Sequence, residues 1–130
     1  MIQIICAEFN SEITEKLLES AEKILQKNGE KFAVALVPGA AEIPIAAQKI
    51  LQKEKKISAI VALGCVIKGD TDHYEFVSKI CADGILRVAL DFSTPIIFGV
   101  LMCRDFHDAW QRREHGAEFA ETAIFMKNNF

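Results

Sequence analysis

Ile57-Ser58-Ala59-Ile60-Val61-Ala62-Leu63-Gly64-Cys65-Val66-Ile67-Lys68-Gly69-Asp70-Thr71-Asp72-His73-Tyr74-Glu75-Phe76-Val77 is the stretch whose reading decides the fold. Its first third is an apolar run rich in β-branched residues, the composition of a strand buried on both faces. Its end passes into a helical pattern. Between them lies a polar loop holding Gly69, Thr71 and His73. Loops that leave the carboxyl end of a buried parallel strand and enter a helix are where α/β proteins bind ligands. The helix N-terminus offers unpaired N–H groups and a positive dipole end, which suits phosphate. Thr71 adds a hydroxyl, and His73 can hold or release a proton near neutral pH. Read alone, this loop can bind an anion and move a proton.

The same alternation extends in both directions. Upstream, Ile2–Ala7 reads as a strand, and Asn10 or Ser11 can cap a helix whose Ile13, Leu17, Leu18, Ala21, Ile24 and Leu25 fall at helical spacing. Asn28-Gly29 ends that helix. Phe32–Val37 is the second strand, Pro38-Gly39 a turn, and Ala40–Leu51 a helix that tolerates Pro44 in its first turn. Lys53-Glu54-Lys55-Lys56 is a solvated connector. Ile57–Ile67 holds the third strand and His73–Leu90 the third helix. Ile96–Leu101 follows as the fourth strand, then helices over Asp105–Arg113 and Gly116–Asn128. This order predicts a single domain over 1–130, an α/β three-layer sandwich with a four-stranded parallel sheet and helices on both faces.

Length and charge narrow the function. The 130 residues suffice for one core, and 51% hydrophobic content leaves surplus apolar surface for a subunit interface. A net charge of −3 without a basic run argues against nucleic acid as a partner. No apolar run reaches membrane-spanning length, and Met1-Ile2-Gln3-Ile4-Ile5-Cys6 lacks the basic flank of a signal peptide. Cys6, Cys65, Cys81 and Cys103 form no CxxC pair, which suits buried thiols in a reducing cytoplasm.

In a parallel sheet the strand ends share one edge. Phe9 and Asn10, then Gly39, Ala40 and Glu42, then Lys68 to His73, then Leu101-Met102-Cys103 would gather there. An aromatic ring, a carboxylate, a phosphate-type loop and a histidine suit a flat polar ring with a hydroxylated chain, plus a phosphate-bearing partner. Each residue also has a plainer explanation. Phe9 can be packing, Glu42 can answer the helix dipole, and His73 can be a surface cap. His107 and His115 read as exposed helix residues, Trp110 as a cover for core or interface, and Lys127 as a solvated end charge. Asp70, Asp72, His73 and Glu75 invite a divalent metal, but their spacing on a tight turn cannot aim all four inward, and no second ligand cluster exists.

Four segments then resemble the 6,7-dimethyl-8-ribityllumazine synthase family of riboflavin biosynthesis: Ala7–Asn10, Val37–Pro44, Gly64–Val77 and Pro95–Leu101. Their order and spacing span almost the whole chain. The resemblance implies a flavodoxin-like fold and a transferase that condenses 5-amino-6-(D-ribitylamino)uracil with 3,4-dihydroxy-2-butanone 4-phosphate, with no metal or organic cofactor. It implies that Phe9 stacks on the pyrimidine, with Asn10 beside it. Ala40, Ala41 and Glu42 would meet the ribityl chain, and Val66, Ile67 and Lys68 the ring. Gly69, Asp70 and Thr71 would form the phosphate loop, and His73 the acid/base. Phe98 and Arg112 would come from a neighbouring subunit, making the protein a homo-oligomer, a pentamer in this family. The forked guanidinium of Arg112 suits phosphate.

The chain departs from the family pattern in several places. Asp70 and Asp72 make the phosphate loop acidic, Glu8 and Ala41 are unusual, and no proline precedes the histidine. The family's extra amino-terminal strand is absent. The Arg113-Glu114-His115 link is shorter than usual, which unsettles the family's phosphate-side lysine and makes Arg113 a second candidate beside Arg112. These departures keep two other readings in view: a non-catalytic ribityl-pyrimidine- or flavin-binding or shell-forming relative, and a flavodoxin-like flavin or nucleotide carrier. The lack of a Gly- or Ser/Thr-rich loop after the first strand weighs against the carrier.

Overall fold

Period-two alternation in the strands decides the layers. The computed structural model describes residues 1–69 and 73–130, so the expectations for Asp70, Thr71 and Asp72 lie outside the described residues. The strands are β1 (Ile2–Ala7), β2 (Phe32–Val37), β3 (Ala59–Ile67) and β4 (Ile96–Cys103). The helices are α1 (Ser11–Lys27), α2 (Ile43–Lys53), α3 (Tyr74–Asp91), α4 (Phe106–Gln111) and α5 (Gly116–Asn129). Every pairing is parallel, in the order β2-β1-β3-β4.

Ile2, Ile4 and Cys6 of β1 and Val61, Leu63 and Cys65 of β3 bury against Ile13, Leu17, Ala21 and Leu25 of α1 and Ala120 and Ala123 of α5. Their alternates Ile5 and Ala7, with Ile60, Ala62 and Val66, bury against Ile43, Ala47 and Leu51 of α2 and Cys81, Ile85 and Val88 of α3. Two helix layers thus enclose the sheet. The chain moves from β1 outward to β2, then returns past β1 to β3. Right-handed crossovers therefore put α1 on one face and α2 and α3 on the other. The direction of winding reverses between β1 and β3, so a crevice is expected at their carboxyl ends.

Two close approaches lock the layers. A Cβ on Gly84 of α3 would stand 2.7 Å from Pro44 Cγ, which lets α3 pack onto the start of α2. A Cβ on Gly116 would stand 1.9 Å from the Leu17 carbonyl oxygen of α1.

Several boundaries differ from the sequence expectations. Helix formation after Pro38-Gly39 begins as a 3-10 turn over Ala40–Glu42 and becomes α-helical only at Ile43, with Pro44 in the first turn. The fourth strand runs past Leu101 to Cys103, because Val66 and Ile67 still pair with Met102 and Cys103. The helix expected from Asp105 to Arg113 is α4 alone, capped by the Asp105 carboxylate accepting from the Asp108 N–H at 2.9 Å. Lys127 is not a solvated end charge. Its ammonium donates to Glu30, 97 residues away, at a part-buried site. Trp110 covers no core. It is exposed, stacked on Phe106, with the Arg113 guanidinium 4.1 Å from its ring centroid.

Candidate active site

The crevice at the switch between β1 and β3 is held open by short-range ties. The Glu8 N–H donates to the Val37 carbonyl at 2.8 Å and the Phe9 N–H to that of Pro38 at 3.0 Å, so the loop after β1 is stapled to the loop after β2. Asn10 adopts a left-handed conformation (φ 61°, ψ 50°), which asparagine tolerates better than most residues. It sits where a helix cap was expected, yet its side chain makes no cap bond to α1. Instead its Nδ2 donates to the Cys65 carbonyl at 2.8 Å, joining the ends of β1 and β3. Asn10 thereby fixes the crevice wall on which Phe9 stands.

Phe9, Gly39, Ala40, Ala41, Glu42, Cys65, Val66 and Val77 line a cleft of about 240 Å³ in this crevice. Phe9 is 59% exposed, far more than packing requires of a phenyl ring. Glu42 closes the 3-10 turn, and its Oε1 would lie 3.2 Å from a Cβ on Gly39, so a glycine there leaves the carboxylate room to fold back over the loop. Val66 sends its side chain into the cleft. Ile67 points to the opposite layer and can offer only its backbone. The Lys68 N–H is occupied by the Cys103 carbonyl at 2.9 Å, leaving the exposed side chain to act.

Gly69 has φ +119°, and a Cβ added to it would meet no heavy atom within 4 Å. Glycine is needed there for the backbone angle and not for space. His73 is exposed at the cap position of α3, and its carbonyl accepts from the Val77 N–H at 2.9 Å. Val77 is thus the contact through which the first turn of α3 reaches the cleft.

Phe98 and Arg112 do not line this cleft. Phe98 lies on edge strand β4, partly exposed, opposite Ala62 in register. Arg112 lines a second, more polar cleft of about 450 Å³ with Val100, Leu101, Met102, Cys103, Arg104, Asp108 and His115. Arg113 is turned away: its Nη1 donates to the Trp110 carbonyl at 2.8 Å and its charge rests on the Trp110 ring. Of the two candidate arginines, Arg112 lines a described cavity and Arg113 lines none of those described among residues 1–69 and 73–130. His115, read from sequence as an exposed helix residue, is half-buried in this cleft at the cap of α5. Its place directly before Gly116 was the one signal available.

The thiols of Cys6, Cys81 and Cys103 are held towards their neutral form. Burial, with Glu8 nearby, pushes Cys6 up to about 12, and burial pushes Cys81 to about 11. Burial also raises Cys103, with the Arg112 guanidinium pulling the other way. Among the described residues, no group of three or more His, Cys, Asp or Glu side chains is placed to hold a metal ion. No helix among them is long and apolar enough to cross a membrane.

A parallel α/β domain with an aromatic ring and a carboxylate at its switch point, and an arginine-lined cleft beyond its edge strand, belongs to the class of small-molecule α/β enzymes that bind ligands at strand ends. The model of the family described as 6,7-dimethyl-8-ribityllumazine synthase matches residues 1–130, the entire chain, which belongs to that family. A 6,7-dimethyl-8-ribityllumazine synthase of Xylella fastidiosa (strain 9a5c) is 41% identical over 126 residues, covering 93% of this chain and 81% of the relative. One from Xanthomonas euvesicatoria pv. vesicatoria (strain 85-10) is 42% identical over the same coverage.

Proposed function

We infer that this chain condenses 5-amino-6-(D-ribitylamino)uracil with 3,4-dihydroxy-2-butanone 4-phosphate to give 6,7-dimethyl-8-ribityllumazine, phosphate and water. The observation that carries the inference is family membership over the full chain, joined to a cleft that already holds Phe9, Glu42 and Val66. The amine forms an imine with the ketone, phosphate leaves, the ring closes and water is lost. The protein supplies position and proton transfer. Phe9 stacks on the pyrimidine, with Val66 and the backbone of Ile67 along its edge. Glu42 accepts from ribityl hydroxyls beside Ala40 and Ala41. Lys68 meets the pyrimidine, the loop from Gly69 through Thr71 meets the phosphate, and His73 moves protons at the condensing centre.

Phe98 and Arg112 complete the site from a neighbouring copy. The cleft opens over β2, β1 and β3, whereas Phe98 lies on β4 at the sheet's opposite edge. A residue at one edge that serves a cleft near the other calls for a head-to-tail contact, and such contacts close into rings. A pentamer is the ring this reading favours. The surface supports an interface: α3 buries Cys81, Ile85 and Val88 yet also exposes Phe76, Ile80, Leu86 and Leu90. The cytoplasm is the compartment that suits four buried thiols.

The direct test is to incubate the purified oligomer with both substrates and follow the absorbance of the lumazine. Tight binding of the ribityl-pyrimidine without product would leave a non-catalytic relative instead. His73→Ala is expected to slow kcat by roughly ten- to a hundredfold, at or below the low end for a positioned acid/base because an exposed site admits water as a substitute. Its thermal midpoint should stay at the wild-type value. An unchanged kcat would remove His73 from the chemistry.

A further inference from the structure

We propose that Asp105 is a positioning residue for Arg112: acting through the backbone of α4, it fixes the direction in which the guanidinium meets the substrate phosphate. This rests on the synthase reading above. Arg112 stands at the carboxyl-terminal cap of α4, and its Nη1 donates to the Asp108 carbonyl at 2.9 Å. That acceptor is neutral, so it orients the guanidinium without cancelling its charge and leaves its other N–H donors for an anion. Asp108 is itself held from the other side of its backbone, where its N–H donates to the Asp105 carboxylate at 2.9 Å. One residue is thus gripped by Asp105 and grips Arg112. Asp105 lies two residues past the end of β4, where the Cys103 carbonyl accepts from the Lys68 N–H at 2.9 Å. The bonds therefore run from the sheet through Asp105 and Asp108 to the guanidinium.

α4 depends on that grip. It has six residues and buries one of them, Ala109. Helices so short are unstable alone, and a single buried methyl group adds little. Its aromatic residues, Phe106 and Trp110, are exposed and stack on each other. The other bond from Asp105 into α4, its carbonyl accepting from the Ala109 N–H, is longer at 3.3 Å. By contrast, α1, α2 and α5 begin without a side-chain cap bond, and each buries three residues or more. A carboxylate here also has an electrostatic cost. Beside the burial that raises the Cys103 thiol, the Arg112 guanidinium lowers it while the Asp108 and Asp105 carboxylates raise it, so both signs of charge reach this corner of the cleft. On charge alone, removing the Asp105 carboxylate favours an anionic substrate. Through position, removing it disfavours that substrate. The two effects have opposite signs, which makes them separable.

The test is the Michaelis constant of each substrate for wild type, Asp105→Ala, Asp105→Asn, Arg112→Ala and the double variant Asp105→Ala with Arg112→Ala. Asp105→Ala is expected to raise the constant for 3,4-dihydroxy-2-butanone 4-phosphate roughly three- to tenfold, within the range set by losing an ordinary cap. The constant for the pyrimidine and kcat should hold. Asp105→Asn caps a helix as well without the charge, so it should keep the constant at or below the wild-type value. In the Arg112→Ala background, Asp105→Ala should add nothing, because residues acting through one another are not additive. A cap that merely stabilises the fold lowers the thermal midpoint and leaves the phosphate substrate's constant where it was. An unchanged or lowered constant in Asp105→Ala therefore overturns the proposal, as does an asparagine variant as impaired as the alanine one, or an equal further rise in the double variant. Should Asp105→Ala not assemble, Asp105→Gly, which helix starts tolerate better, is held to the same criteria. If wild type itself makes no product, the synthase reading fails, and calorimetry with inorganic phosphate on the same proteins decides the coupling. Weaker binding in Asp105→Ala with no further loss in the double variant supports it, and any other ordering overturns it.

Discussion

Gly116→Ala is expected to lower the unfolding free energy by about 3 kcal/mol or more, the upper range for forcing extra volume into a packed core. The added Cβ would lie 1.9 Å from the Leu17 carbonyl oxygen and 2.5 Å from Ser20 Oγ. The Ser20 hydroxyl can rotate away, at the loss of its 3.0 Å bond to the same Leu17 carbonyl. The carbonyl cannot move, because it belongs to the middle of α1, whose Leu17, Ala21 and Leu25 are fully buried. Relief needs α1 and α5 to part by roughly 1 Å, and close-packed interiors do not absorb that without opening voids. The helix-propensity gain of alanine over glycine, about 1 kcal/mol, offsets only a fraction. Denaturant midpoints at a fixed protein concentration measure the effect, since assembly also contributes to apparent stability. A variant with the wild-type midpoint would mean that the two helices are not in contact at this point.

Phe9→Ala and Arg112→Ala are each expected to be severely impaired alone and to rescue each other when mixed. Phe9 is mostly exposed, so its loss should leave the thermal midpoint nearly unchanged while removing a stacking surface worth about 1–3 kcal/mol, roughly ten- to a hundredfold in the Michaelis constant of the pyrimidine. Arg112→Ala should weaken use of the phosphate substrate on a similar scale, since a charge-assisted hydrogen bond is worth about 1.5–3 kcal/mol. In a head-to-tail ring each site draws Phe9 from one subunit and Arg112 from the next. Random mixing of the two variants in equal amounts therefore restores both intact residues at roughly a quarter of the sites. Co-expression with two affinity tags isolates the mixed oligomers. Activity no greater than the average of the parent variants would place the whole site within one chain.

The first expectation comes from packing and the second from the separation of the two clefts. Neither was open to inspection along the chain. What was legible there was local. The alternation of Ile2, Ile4 and Cys6 with Gln3, Ile5 and Ala7, and the apolar run from Ala59 to Ile67, set strands whose bounds agree closely with the structure. Helix bounds were less well read where a turn or cap intervened. The 3-10 turn at Ala40–Glu42 and the end of α4 at Gln111 are closed by local i to i+3 backbone bonds, Glu42 N–H to the Gly39 carbonyl and Arg112 N–H to that of Ala109, which helix periodicity does not distinguish from a continuing helix. Phe9, Ala40 and Glu42 were legible as one site because parallel strands must end on one edge, and Ala41 and Val66 joined them through the family resemblance. The structure gathers those five around a single cleft.

By itself, the sequence determined the parallel α/β layering, the family and the strand-end cleft, because periodicity, turn chemistry and motif spacing are properties of neighbouring residues. Only the tertiary structure decided what the long-range partners are. Asn10 bridges to Cys65 rather than capping α1, and Lys127 reaches Glu30. Arg113 settles on Trp110, which leaves Arg112 facing the cleft beside His115. The physical reason is the same throughout. A polar or charged side chain takes the best partner within its reach, and folding brings that partner from far along the chain or from the adjoining turn at an angle that residue spacing does not encode.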